Sequence, residues 1–150
     1  MPTEPQAGRV NPNRLLGPWS LVAYKHVLPT GETLHPFGDH PSGMLVYQAD
    51  GSMSVHISVG NPARLAGEDF RDAGAEDAAA AWRSYFGYWG TFQIHAEPQR
   101  VVHRVEGSSF ANWIGTEQVR QFRFDASGCL LLETDFADGR YSLRWQRKSA

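Results

Sequence analysis

The chain has 150 residues, 41% of them hydrophobic, and carries a formal net charge of −2 with a sequence pI near 6.3. That length supports one domain around one core, and that charge gives no electrostatic case for binding nucleic acid or an anionic membrane surface. The apolar runs are too short to span a bilayer, and the one cysteine, Cys129, rules out an internal disulfide and fits a reducing, cytoplasmic setting.

Residues 1–14, rich in proline, asparagine and charge, contain no apolar h-region, so they read as a flexible lead-in rather than a secretory signal. Residues 15–150 read as a single domain. Trp19 to Val27 alternates weakly but is rich in strand formers. Leu45-Val46-Tyr47 and Val55-His56-Ile57 flank Asp50-Gly51, a strong short hairpin pattern. Gly60 to Gly74 is polar and long enough for a portal loop. Ala78, Ala81, Trp82, Tyr85, Phe86 and Trp89 then fall on one helical stripe, with Glu76 and Asp77 in the first turn and Gly87 and Gly90 as stops. The spacing predicts one helix near residues 75–87, packed on the sheet or plugging a barrel mouth.

Beyond it the pattern returns to hairpins. Tyr88 to His95 and Arg100 to Val105 flank Glu97-Pro98-Gln99, and Val119 to Phe124 and Leu130 to Thr134 flank Ala126-Ser127-Gly128. Phe136 and Tyr141 flank Asp138-Gly139. A meander of about eight such strands closes into a barrel to remove its edges. The fold class is therefore all-β: a closed antiparallel barrel with one amphipathic helix inserted mid-chain.

If Asp50-Gly51 is a two-residue turn, Met44, Val46 and Gln48 share a face with Met53, Val55 and Ile57, and Tyr47 shares the other with Ser54 and His56. If Asp138-Gly139 is one too, Leu130, Leu132, Thr134 and Phe136 lie with Tyr141, Leu143 and Trp145, and Glu133 stands opposite Arg144. Which faces line the interior stays open at this level.

The most informative stretch is Asn112-Trp113-Ile114-Gly115-Thr116-Glu117-Gln118-Val119-Arg120. An indole beside an amide and a glycine turn leads into a strand on which Gln118, Arg120 and Phe122 share a face, a combination suited to a small-molecule pocket. With Leu16-Gly17-Pro18-Trp19, Pro36-Phe37-Gly38, Gly43 to Tyr47, Asp50 to Ser54, Trp82 to Tyr85 with Tyr88 and Gly90, and His103-Arg104-Val105-Glu106, it resembles the lipocalin-like domain family of small bacterial and fungal proteins from Leu15 to Arg147. The segment Thr134 to Ala137 departs from the family's usual Thr-Pro-rich stretch. The resemblance implies a lipocalin-like barrel around a small, largely apolar molecule, and no agreed catalytic residues. It also implies that Trp19 closes one barrel end beneath Arg144 or Arg147 through cation–π packing.

His103 and Arg120 are the candidate catalytic groups: an imidazole titrates near neutral pH, and an inward guanidinium demands an oxygen-bearing partner. Glu106, three residues after His103, falls on the other strand face and forms no dyad with it without a bulge. The candidate ligand-binding residues are Tyr47, Ser54, Trp82, Phe86, Asn112, Trp113, Gln118 and Phe122. The six histidines show no metal-binding spacing, Cys129 has no basic neighbour to activate it, and no phosphate loop or nucleophile elbow is present. No metal and no cofactor are expected, and the expected partner is a small-molecule ligand or substrate of a monomer or homodimer. Two readings stay open: a binder of a hydrophobic or aromatic metabolite, and a cofactor-independent isomerase or cyclase acting on a polyketide- or terpenoid-like intermediate, which needs shape and dryness more than a motif.

Overall fold

The computed structural model describes residues 11–148. The first ten residues of the expected lead-in lie outside the described residues. Strands β1 (Gly17–Val27), β2 (Thr33–Leu34), β3 (Ser42–Tyr47) and β4 (Ser52–Ser58) precede helix α1 (Ala75–Arg83). Strands β5 (Tyr85–Ala96), β6 (Gln99–Ser108), β7 (Glu117–Phe124), β8 (Leu130–Phe136) and β9 (Gly139–Arg147) follow it. All pairings are antiparallel, in the order β2-β1-β3-β4-β5-β6-β7-β8-β9, and β1 pairs with β9 as well. The two-residue β2 folds back on the end of β1, so the other eight strands form a closed barrel. No helix among the described residues is long and apolar enough to cross a membrane.

The helix is shorter than its stripe suggests. It ends at Arg83 with Ser84 as cap, and Tyr85 already pairs with Ser58 of β4. Tyr85, Phe86 and Trp89 are strand formers, and pairing with β4 overrides the helical periodicity they happen to continue. Gly87 and Gly90 are therefore strand residues. At Gly90 a Cβ would lie 1.9 Å from the Arg104 carbonyl oxygen, so the close approach of β6 there requires glycine. No α1 residue is buried, so the helix is neither core nor plug.

Both hairpin registers differ from expectation. In β3–β4 Tyr47 pairs with Met53 and Leu45 with Val55, because Gln48 N–H bonds to Ser52 O around a turn that ends on Gly51 with φ +91°. That one-residue slip places Tyr47, Leu45, Met53, Val55 and Ile57 inside and Ser54 and His56 outside. In β8–β9 Phe136 pairs with Gly139, and Leu132 with Leu143. The slip there is two residues, so the faces survive but the partners change. Glu133 lies between Arg123 (2.8 Å) and Arg140 (3.3 Å), while Arg144 pairs with Asp125 (2.8 Å).

The core fills one end of the barrel. A 3-10 turn at Pro12–Leu15 brings the fully buried Leu15 beneath Trp19. The Trp19 indole donates to Leu15 O at 2.9 Å, and the Arg147 guanidinium stacks 4.1 Å from its ring. Arg147 also donates to Leu16 O at 2.7 Å and to Arg14 O, so the last strand is tied to the first turn. Of the two arginines expected over Trp19, Arg147 is the one in place.

Candidate functional site

The opposite end of the barrel is open. A cavity of about 590 Å³ there has Tyr24, Trp113, Arg120, Phe136, Tyr141 and Leu143 among its walls. Below it lies a chamber of about 70 Å³ that shares Tyr24, Trp113, Arg120 and Leu143 and adds Phe86, Tyr88, His103 and Trp145. The sequence builds these walls by period-two alternation with two interruptions. In β1 the register against β9 shifts between Leu21 and Ala23, so Leu21 and Tyr24 both face inward although they are three apart. Between β5 and β6 it shifts between Trp89 and Gly90, leaving Glu106 as the extra residue. Glu106 remains exposed while His103 and Val105 are buried, so no His–Glu dyad forms even with a bulge present.

The chamber wall is aromatic. The Trp113 ring meets Phe86 edge-on at 5.1 Å and Tyr88 at 5.5 Å. His103, 1% exposed, is hydrogen-bonded through both ring nitrogens: Nε2 lies 2.6 Å from the Tyr47 hydroxyl, and Nδ1 lies 2.6 Å from that of Tyr88. Burial, with a smaller contribution from the positive charge of Arg120, lowers its pKa to about 3. The imidazole is therefore neutral at physiological pH. Burial pushes the Tyr88 phenol up to about 12, against the pull of Arg120, and raises Tyr47 well above the ordinary tyrosine value. The guanidinium of Arg120 lies 5.8 Å from the Trp113 ring, and none of the ion pairs among the described residues includes it. The site is an aromatic chamber with neutral imidazole and phenols on one side and a lone cation at its neck.

The residues expected at a site divide into two sets. Trp113, Phe86, His103 and Arg120 line the chamber, and Tyr47 supports it from behind through His103. Ser54 does not line it: the β3–β4 slip turns it outward, where its hydroxyl lies 3.2 Å from His56 Nε2 and His56 Nδ1 lies 2.6 Å from the Tyr85 hydroxyl. Trp82 is 58% exposed on α1, away from both cavities, because the stripe it belongs to stops at Arg83. Asn112 is exposed in the 3-10 turn Ala111–Trp113, which points Trp113 inward and its neighbour out. Gln118 donates to the Thr116 hydroxyl at 2.9 Å and lines a side groove between β7 and β8. Phe122 packs in the core against Phe124, one step below the chamber floor. The Gly60–Gly74 loop lines neither cavity, and the mouth is framed instead by the Trp113 turn and the β8–β9 hairpin. Tyr24, Tyr88 and Trp145 were missed. Tyr88 was read as a strand residue but not as a wall residue, although Phe86, Tyr88, Phe92 and Ile94 fall on the even-numbered positions that the strand turns inward.

The family match fits this architecture. A family model described as a lipocalin-like domain matches residues 16–147. The 4'-hydroxy-3'-methoxypropiophenone carrier protein ppsC of Aspergillus oryzae is 35% identical over 74 residues, which is 45% of this chain and 67% of that protein. Among solved structures, a mutant of the fluorescent protein UnaG aligns over 92% of this chain and 99% of its own, with a TM-score of 0.44 and 15% identity. The chain belongs to the lipocalin-like domain family.

Proposed function

We propose that the protein binds and carries a small, largely hydrophobic or aromatic metabolite inside the barrel. The observation that carries this reading is the aromatic chamber opening into a cavity of about 590 Å³, with polar groups concentrated at Arg120, Tyr88 and His103. The name of the Aspergillus relative, a carrier of an aryl ketone, favours a ligand of similar chemistry. A single cysteine, buried and unpaired, fits work in the reducing cytoplasm. An isomerase or cyclase would use Arg120 and Tyr88 to polarise a carbonyl. His103, neutral and occupied at both nitrogens, is poorly placed as its general base, so carriage is the reading we favour.

Mass spectrometry of the protein purified under native conditions should find a retained aromatic or polyketide-like molecule. Titration with an uncharged environment-sensitive dye should give saturable binding. Trp113→Ala should weaken it about tenfold, the loss expected for one aromatic wall contact of roughly 1.4 kcal/mol. Unchanged dye affinity in folded Trp113→Ala would remove Trp113 from the site, and no saturable binding by the native protein would end the carrier reading.

A further inference from the structure

We infer that the ligand of this pocket is an apolar acid, whose anionic head, a carboxylate or phenolate, enters the inner chamber while its apolar body fills the outer cavity. The inference rests on the binding reading above and says which class of ligand the site selects.

The first support is charge. Arg120 is a wall residue of both cavities, only partly exposed, and in no ion pair among the described residues. It donates to the adjacent Val119 carbonyl at 3.0 Å and to the Tyr88 hydroxyl oxygen, both neutral acceptors, so no protein group balances its charge. Three other strand arginines, Arg123, Arg140 and Arg144, have carboxylate partners. A partly buried guanidinium without one is costly, and a bound anion supplies what the fold omits.

The second support is a surplus of donors. Trp145 lines the chamber, is fully buried, and its indole N–H has no acceptor. The Tyr47–His103–Tyr88 chain adds another. A neutral imidazole donates through one nitrogen and accepts through the other, so one tyrosine gives its proton to the ring and the other is left with a free O–H. If Nε2 carried the hydrogen, the free O–H would belong to Tyr47, which is fully buried, lines neither cavity and has His103 as its one hydroxyl partner. If Nδ1 carries it, Tyr47 donates to Nε2, Nδ1–H donates to Tyr88, and the free O–H belongs to Tyr88 on the chamber wall. A buried hydroxyl with no acceptor bears its full desolvation cost, so the second arrangement prevails. Among the chamber's wall residues Tyr88 and Arg120 then offer donors, Trp145 carries a buried N–H without an acceptor, and none is a carboxylate.

The third support is size. At about 70 Å³ the chamber is much the smaller of the two spaces, which suits a head group. The cavity above it is large enough for the aromatic body.

Two fluorescent probes share one aromatic frame and differ in an anionic group: N-phenyl-1-naphthylamine, which is uncharged, and 8-anilino-1-naphthalenesulfonate, whose sulfonate stands in for the carboxylate. The native protein should bind the sulfonate at least about tenfold tighter, since charge-assisted hydrogen bonds of this kind reach that factor. Arg120→Leu should bring the sulfonate to within about twofold of the neutral probe, the loss falling mainly on the sulfonate, with far-ultraviolet circular dichroism reporting that the variant is folded. Tyr88→Phe should remove part of the same preference. Equal binding of the two probes by the native protein overturns the inference without needing any variant, while leaving the carrier reading intact. Equal weakening of both probes by Arg120→Leu also overturns it. Failure of both probes to bind the native protein removes the carrier reading itself, and this inference with it.

Discussion

Trp19→Ala is expected to lower the stability of the fold by about 3–5 kcal/mol, the range for removing a large aromatic side chain from a packed core. Trp19 is 1% exposed and sits where the first turn, the first strand and the last strand meet. Its loss removes three kinds of interaction at once: ring burial against Phe124 at 6.1 Å, the indole hydrogen bond to Leu15 O, and the stacking of Arg147. Arg147 would keep its bonds to Leu16 and Arg14 carbonyls but lie over a hole. Against a total stability of about 5–15 kcal/mol for a typical domain, this is a large fraction. Trp19→Phe keeps most of the ring and drops only the indole donor, so it should cost about 1–2 kcal/mol. Chemical denaturation followed by far-ultraviolet circular dichroism measures both. A loss below about 1 kcal/mol for Trp19→Ala would mean that this end of the barrel is not held closed by the indole. Because Trp113 and the chamber lie at the other end, dye binding in the folded fraction should change little.

The closed end was legible in the sequence because the resemblance placed an arginine over Trp19 and the strand-and-turn pattern required a barrel. The open end was legible only in part. Trp113 and Arg120 stand out as an indole at a tight turn and an arginine two residues from a glutamine on the following strand. What hid the rest was local irregularity. The bulge after Leu21 shifts Tyr24 onto the inner face, against simple alternation. The helical stripe from Ala78 to Trp89 is regular enough to mask Tyr85 and Phe86 as strand residues, and only pairing with β4 decides the matter. The one-residue slip at Gln48–Gly51 reverses Tyr47 against Ser54, and depends on where a turn places its positive-φ glycine rather than on side-chain chemistry. The two-residue slip in the last hairpin preserved the faces but exchanged Glu133's expected partner for two others, a reminder that parity is easier to predict than register.

The stability of the wild-type fold should fall faster on acidification than that of His103→Gln, and the two curves should cross. His103 has an ordinary pKa of 6.5, lowered in the folded protein to about 3 by burial first and by Arg120 second. Between those values the unfolded chain takes up a proton that the folded chain does not. Stability from the neutral imidazole is therefore fully present above about pH 6.5 and is lost as pH falls towards 3. At 1.36 kcal/mol per unit, the loss between pH 6.5 and 4 is on the order of 3 kcal/mol. The groups facing the ring are Tyr47, Tyr88 and Arg120, and none of them titrates in that window, since both phenols are raised and a guanidinium stays charged. Carboxylates held low elsewhere, Asp125 by Arg144 and Glu133 by Arg123 and Arg140, also lose stability in acid, but they do so equally in both proteins. Glutamine retains a donor and an acceptor for the two tyrosines without a titrating ring, so the variant should be about 1–2 kcal/mol less stable at pH 7. It should become the more stable of the two by about pH 4–5. Arg120→Leu, by removing the facing positive charge, should raise the His103 pKa and shrink the acid loss of the wild-type ring. Denaturation midpoints at half-unit pH steps measure all three proteins. Parallel curves for wild type and His103→Gln would mean that the imidazole is not held neutral, and that the Tyr47–His103–Tyr88 chain does not set the polarity of the pocket.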